Sequence, residues 1–251
     1  MKLSVGNIGW FVCLIGLGVL TISAIDYKKD GGVTSVSVDV KSDGEGDQFL
    51  SESDVRDQMF SILGGQLPED VSSISVEQLE KQMKTNPFVK NADVYINSDG
   101  ELGIRVEQRS PVARVLTNGE HFYLDAEGKV IPESQSFTAR LLVLTGDVPV
   151  GREREGYADQ ALIELIHTLG EDAFYDALVE QINFEKDELT VVPKVGSAFI
   201  KFGENENVDK KLSNLKAFYR DVYSQKGFEG YSQIDISIED QIICKDNKKT
   251  N

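Results

Sequence analysis

Apolar residues recur along this chain with two different periods, and the switches between them mark out its elements. In "VTSVSVDV" Val36, Val38 and Val40 alternate with Ser35, Ser37 and Asp39, the period of two of a half-buried strand. The period then lengthens. Val55, Met59, Ile62 and Leu63 fall on one helical face, Ser51 or Ser53 can cap that helix, and Gly64-Gly65 ends it. A second helix begins at Ser75, where Ser75 and Gln78 have the spacing of a capping box; Val76, Leu79 and Met83 form its stripe and Asn86-Pro87 stops it. The period of two returns in "NPFVKNADVYINSDGELGIRVEQRSPVA". Ala92, Val94 and Ile96 alternate with polar positions, as do Leu102, Ile104 and Val106, and Asp99-Gly100 supplies the turn of a hairpin. The predicted order is strand, helix, helix, strand, strand.

From Pro111 the texture changes to short strand-like runs: "PVARVL", "HFYLDAEGKVIP", "ARLLVLTG", "LVEQINF", "ELTVVPKV" and "AFIKFG". Asp125 to Gly128 reads as a reverse turn. Two helices interrupt the runs, one over Tyr157 to Leu169 and one over Val208 to Tyr223. The last strand begins at Tyr231, with Ile234, Ile236 and Ile238 expected to face the core and Asp235, Ser237 and Glu239 to face outward. The break near Arg109 to Pro111 divides a small α+β domain, 31–108, from a β-rich domain with two helices, 109–245, and leaves a tail of 246–251.

The N-terminal run fits neither pattern. Val5 to Ile25 is 21 residues without a charge. At about 1.5 Å per residue it spans roughly 30 Å, the hydrocarbon thickness of a bilayer. It reads as an uncleaved transmembrane anchor over 5–25, longer than the apolar region of a signal peptide. The tail 1–4 is expected in the cytoplasm, with the bulk exported to the extracytoplasmic (periplasmic) side of the inner membrane.

Composition narrows the partners. Forty-two acidic against twenty-six basic residues give a net charge of −16 in 251 residues. Such a polyanion is repelled by nucleic acid and by anionic headgroups, so its contact with membrane is expected through the anchor alone. Cys13 lies in the apolar run and Cys244 near the end, so no internal disulfide is expected. The two histidines, His121 and His167, have no second ligand at metal-binding spacing, and no phosphate loop or nucleophile elbow occurs. The sequence predicts no catalytic residue, metal or cofactor, and so not an enzyme.

The order of the first domain resembles that of a POTRA module, two helices packed on a three-stranded mixed sheet, which commonly recruits partners along a sheet edge. The whole chain resembles the bacterial cell-division family FtsQ, or DivIB. The resemblance is carried by Pro87-Phe88-Val89 with Ala92, by Val106-Glu107, by Pro111 and Ala113, and by Leu124-Asp125 with Gly128; Phe88 stands where tryptophan is frequent. It implies a divisome scaffold at the septum that binds coiled-coil division proteins of the FtsB and FtsL type and helps recruit and regulate the septal peptidoglycan synthases. It further implies a partner surface on the last long strand, Tyr231 to Cys244, and on the helix before it. The residues so implied are Tyr231, Ser232, Ile234, Asp235, Ile236, Ser237, Ile238, Glu239, Ile242 and Cys244, with Lys211, Leu215 and Tyr219. Other readings of the same chain are an anchored POTRA-type protein of secretion or envelope assembly, and an anchored periplasmic enzyme. A POTRA-bearing β-barrel is disfavoured, because about 140 residues cannot supply its strands.

Overall fold

The computed structural model describes residues 32–42, 49–117, 119–134, 139–152, 154–223, 227 and 229–247. The expected anchor, the tail before it, Cys13 and most of the C-terminal tail lie outside these. Among the described residues no helix is long and apolar enough to cross a membrane. The chain divides into two compact units, which meet in sequence between Gln108 and Arg109.

The first unit is a three-stranded sheet under two helices. Strand β1 (Ser35–Lys41) pairs in parallel with β3 (Glu101–Gln108), and β2 (Val89–Ile96) pairs with β3 antiparallel, giving the order β1-β3-β2. Helix α1 (Glu52–Ile62) begins at Ser51, which forms a full reciprocal capping box with Asp54. Helix α2 (Val76–Met83) begins at Ser75, whose hydroxyl accepts only the Gln78 amide, at 3.4 Å, so the expected box there is half made. Glycines 64 and 65, both at positive φ, end α1 as the sequence predicts. Val55, Met59, Leu79 and Met83 from the helices close over Val94, Leu102, Ile104 and Val106 from the hairpin. Gln108 ends β3 inside this core, where its side-chain oxygen accepts the amides of Phe49 and Leu50 at 2.9 and 2.8 Å. Those donors precede α1 and would otherwise be buried unpaired.

On the outer face Gly103 stands opposite Tyr95. A Cβ at 103 would lie 2.3 Å from the tyrosine ring, so the ring lies across the glycine.

The second unit is a nine-stranded mixed sheet with helices on one face. Its strands are β4 (Pro111–Thr117), β5 (Glu120–Asp125), β6 (Val130–Pro132), β7 (Leu142–Gly146), β8 (Val179–Glu185), β9 (Glu188–Pro193), β10 (Phe199–Gly203), β11 (Tyr231–Asp235) and β12 (Ile243–Asp246). They run in the order β12-β11-β10-β9-β8-β7-β4-β5-β6. Helix α3 (Gln160–Glu171), α4 (Ala173–Leu178) and α5 (Val208–Phe218) supply Leu162, Ile166, Leu169, Tyr175, Leu212 and Leu215 to one core. From the sheet come Ala113, Val115, Leu144, Ile182, Phe184, Val191, Ile200, Phe202 and Ile234.

The sequence predicts two helices here, and the structure has a third, α4. It is too short to show a helical period, and it starts where Asp172 accepts the Phe174 amide at 2.9 Å. Helix α5 also stops earlier than expected, passing at Tyr219 into a wider π turn over Tyr219–Tyr223.

The Leu124-Asp125 turn is pinned by its carboxylate. Asp125 Oδ1 accepts the amides of Glu127 and Lys129 at 2.9 and 2.8 Å, and Oδ2 meets the Arg109 guanidinium at 2.5 Å. Both side chains of that pair are largely buried, 6% and 13% exposed.

Candidate partner-binding edge

The sheet of the second unit ends on β12, and the site begins with why β12 exists. The pattern of isoleucines from 234 to 238 predicts one long strand. Instead Asp235 Oδ1 accepts both the amide of Ser237, at 3.0 Å, and its hydroxyl, at 2.6 Å, which turns the chain out of the sheet. Asp240 adopts a left-handed conformation with φ 60°, and the chain returns as β12, antiparallel to β11. The result is a hairpin where a single strand is expected.

That changes which strand is the edge. The implied surface strand, Tyr231 to Cys244, is therefore two strands, and the first of them, β11, is paired on both sides, in parallel with β10 and antiparallel with β12. Among the described residues the sheet ends on β12. Its alternation can be fixed: the Asn247 amide donates to Gly230 O at 3.2 Å, so odd-numbered amides of β12 face β11.

The side chains sort by burial. Ile234 and Ile236 face the core as expected; Tyr231 is buried there too, and a bulge between Tyr231 and Gln233 explains how an odd and an even position share one face. Ser232 lies at that bulge, its hydroxyl against the carbonyls of Lys245 and Asp246. Ile238 is not in the core but 49% exposed, because it follows the turn at Asp235. Ile242 and Cys244 are partly buried against the core, while Ile243, between them, is exposed on the opposite face.

Helix α5 lies on the same side of the sheet as Cys244, and two of its expected contact residues face inward. Leu215 is 2% exposed and Lys211 7%, so neither presents a surface to a partner. The Lys211 ammonium donates to Glu204 O at 2.8 Å and lies 4.9 Å from the centre of the Phe202 ring. Burial lowers its pKa, against the opposing pull of Glu204, Glu206 and Glu239. Tyr219 is half-buried and edge-on to Phe174, with ring centres 5.7 Å apart.

Lys210 opens the helix segment, Lys210 to Tyr219, that the resemblance implies, though it is not among the residues singled out there. It stands on the exposed side of α5 and reaches Glu239 at 3.1 Å and Asp240 at 3.0 Å. These two carboxylates, Asp240 first, raise its pKa. The signal was in the sequence as "IED" opposite a helix rich in lysine, but only the turn at Asp235 brings them together.

Among the described residues no group of histidine, cysteine and carboxylate side chains could hold a metal ion. His121 faces Glu133 at 3.8 Å, and His167 meets Ala126 O at 3.0 Å.

The comparisons with known proteins fit this architecture. Residues 33–107 match the POTRA-like domain, which makes the first unit a module of that class. Residues 110–245, more than half of the chain, match the family described as FtsQ/DivIB, C-terminal related. The chain belongs to the FtsQ/DivIB family of cell-division proteins. It is 27% identical over 172 residues to the cell division protein FtsQ of Salinibacter ruber, covering 64% of this chain and 65% of that protein. It is also 27% identical over 169 residues to FtsQ of Rhodothermus marinus, covering 64% and 62%. The chain thus spans just under two thirds of the length of these curated relatives. The solved extracytoplasmic domain of DivIB from Geobacillus stearothermophilus aligns with 46% of this chain and 98% of its own, at 19% identity and a TM-score of 0.28, too slight a likeness to bear on the fold.

Proposed function

We propose that this protein is a non-catalytic scaffold of the bacterial division complex, anchored in the inner membrane by residues 5–25 with its bulk outside the cytoplasm. Its partners are coiled-coil division proteins of the FtsB and FtsL type, and through them it helps recruit and regulate septal peptidoglycan synthesis. The observation that carries this reading is the match of residues 110–245 to the FtsQ/DivIB family, over a domain whose described sheet ends on β12 beside the partly buried Ile242 and Cys244. The partner docks at this end of the domain, against the β11–β12 hairpin and the flank of α5. Membership of the FtsQ/DivIB family supports the cellular setting.

Two measurements test this. A fluorescent fusion of the full chain should gather at midcell in dividing cells, and the same fusion should pull down the cell's own FtsB-type protein from solubilised membranes. Uniform membrane fluorescence through division, with no such protein recovered, would overturn the reading.

A further inference from the structure

Tyr95 lies on the outer face of the first unit, the side of the sheet turned away from its two helices, and is 36% exposed. It rests there because Gly103 has no side chain. A Cβ at 103 would meet Cε2 and Cζ of the ring at 2.3 Å, so the ring lies directly on the backbone of β3. Ser37 completes the row on β1, so the row carries a single large side chain. The rows on either side of it are polar. In one, Arg105 stands between Asp39 and Asp93 and meets them at 3.4 and 3.5 Å, its guanidinium carbon 5.8 Å from the centre of the ring. In the other, the Asn97 amide group donates to the Glu101 carboxylate at 2.8 Å. One aromatic ring thus lies low between two rows of planar hydrogen-bonding groups.

We infer that this face is a platform for a neutral sugar ring: Tyr95 stacks on the C–H face of a pyranose, and the two polar rows hydrogen-bond the hydroxyls at its rim. A pyranose is apolar on its ring faces and polar around its edge, and the groups here stand in the same order. Same-face residues along a strand are about 6.6 Å apart, close to the reach of a ring hydroxyl plus a hydrogen bond of about 2.8 Å. Charge decides between ligand classes. The two rows hold three carboxylates, Asp39, Asp93 and Glu101, against the one guanidinium, so phosphate-bearing and other anionic ligands are repelled. Uncharged hydroxyls meet no such repulsion, and they donate to carboxylates and accept from a guanidinium. A protein partner would require an apolar interface core, which one tyrosine does not supply. The site is shallow, so it buries little of its ligand and binds weakly. It is independent of the partner proposed for the second unit.

The test uses the full chain in micelles of a detergent without a sugar headgroup, titrated with the soluble tetramer of β-1,4-linked N-acetylglucosamine. Binding is read by saturation-transfer NMR and by the shifts of the sheet amides. The parent should bind in the millimolar range, with shifts centred on Tyr95, Gly103 and Arg105. Tyr95→Phe keeps the ring and should bind within about twofold of the parent. Tyr95→Leu still covers Gly103 but has no ring face, and should weaken binding roughly fivefold. Asp39→Asn with Asp93→Asn leaves the ring and the core in place and should weaken it roughly two- to fourfold, a reading that stands even if the leucine variant fails to fold. No saturation transfer to the parent at the solubility limit of the sugar overturns the inference. So does equal binding by a folded Tyr95→Leu, or an equal loss in Tyr95→Phe, which would put the contact on the hydroxyl and not on the ring. Unchanged binding in the double asparagine variant, or tighter binding of inorganic phosphate than of the sugar, overturns the role given to the polar rows.

Discussion

Glu80, on α2, accepts the amide of Val94 at 3.0 Å on the side of β2 where the three-stranded sheet ends. The Asn97 amide donates to Glu101 O, so odd-numbered residues of β2 bond to β3 and the Val94 amide points away from the sheet. A carboxylate at that point occupies a donor that would otherwise attract another strand. The hairpin therefore walls a core on one face and is closed at the middle of its edge.

Glu80→Ala should destabilise the first unit by about 1–2 kcal/mol, because a part-buried amide loses a charged acceptor. It should also promote self-association through the bared edge. Glu80→Gln keeps an acceptor oxygen and should cost less than half as much. Urea denaturation of the purified chain, with light scattering, checks both; equal losses for the two variants would mean that the carboxylate acts by charge alone.

Ile104 is 1% exposed and lies under both helices. Its truncation to alanine should cost about 2–5 kcal/mol, the range for a buried isoleucine. The loss should appear in the transition of the first unit, and a change below about 0.5 kcal/mol would contradict the register of β3.

Asp125 holds two backbone amides and a buried guanidinium. Asp125→Ala should destabilise the second unit by about 3–5 kcal/mol, since it removes the acceptor of two backbone amides and leaves the largely buried Arg109 guanidinium to the exposed Glu127 carboxylate, 3.8 Å away. Adding Arg109→Met to that variant should recover part of the loss. If it makes matters worse, the two side chains do not act as a pair.

Tyr175 is buried in the core of the second unit, and burial first, then the charge of Asp172, pushes its hydroxyl up to about 12 from the usual 10. The folded state thus holds that proton more tightly than the unfolded chain. The resulting stability is complete below pH 10 and is lost as the pH rises towards 12. Tyrosinate absorbance should show one tyrosine ionising late in the folded protein, and Tyr175→Phe should remove that late step and flatten the alkaline loss of stability.

Much of this architecture was legible because period and burial coincide. The hairpin of β2 and β3 shows its alternation openly, and Asp125 to Gly128 is the turn that it reads as. The two-domain break falls where the texture changes at Arg109. The end of the second sheet was harder to read. The isoleucines at 234, 236 and 238 keep the strand period across a point where the chain has already left the sheet, and the Asp235–Ser237 turn that diverts it is a local hydrogen-bond choice. Lys211 and Leu215 were misjudged for a related reason. A lysine on a helix reads as solvent-facing, but here its ammonium finds a carbonyl and an aromatic ring inside. The role of Glu80 could not be read at all, since nothing in "VEQLEKQM" shows which glutamate will overhang a strand.

The shortness of β12 sets a limit on how the protein can hold anything. Four residues turn at most two amides and two carbonyls away from β11. At about 1 kcal/mol net for each hydrogen bond, a further ladder could supply no more than about 4 kcal/mol. A micromolar complex requires about 8 kcal/mol and a nanomolar one about 12. Half or more of the attachment must then come from side chains lying over Ile242, Cys244 and the flank of α5, and a captured strand without them would fall away. On the proposed reading, a strand of this size makes a latch that side-chain contacts close and that loss of a few of them reopens.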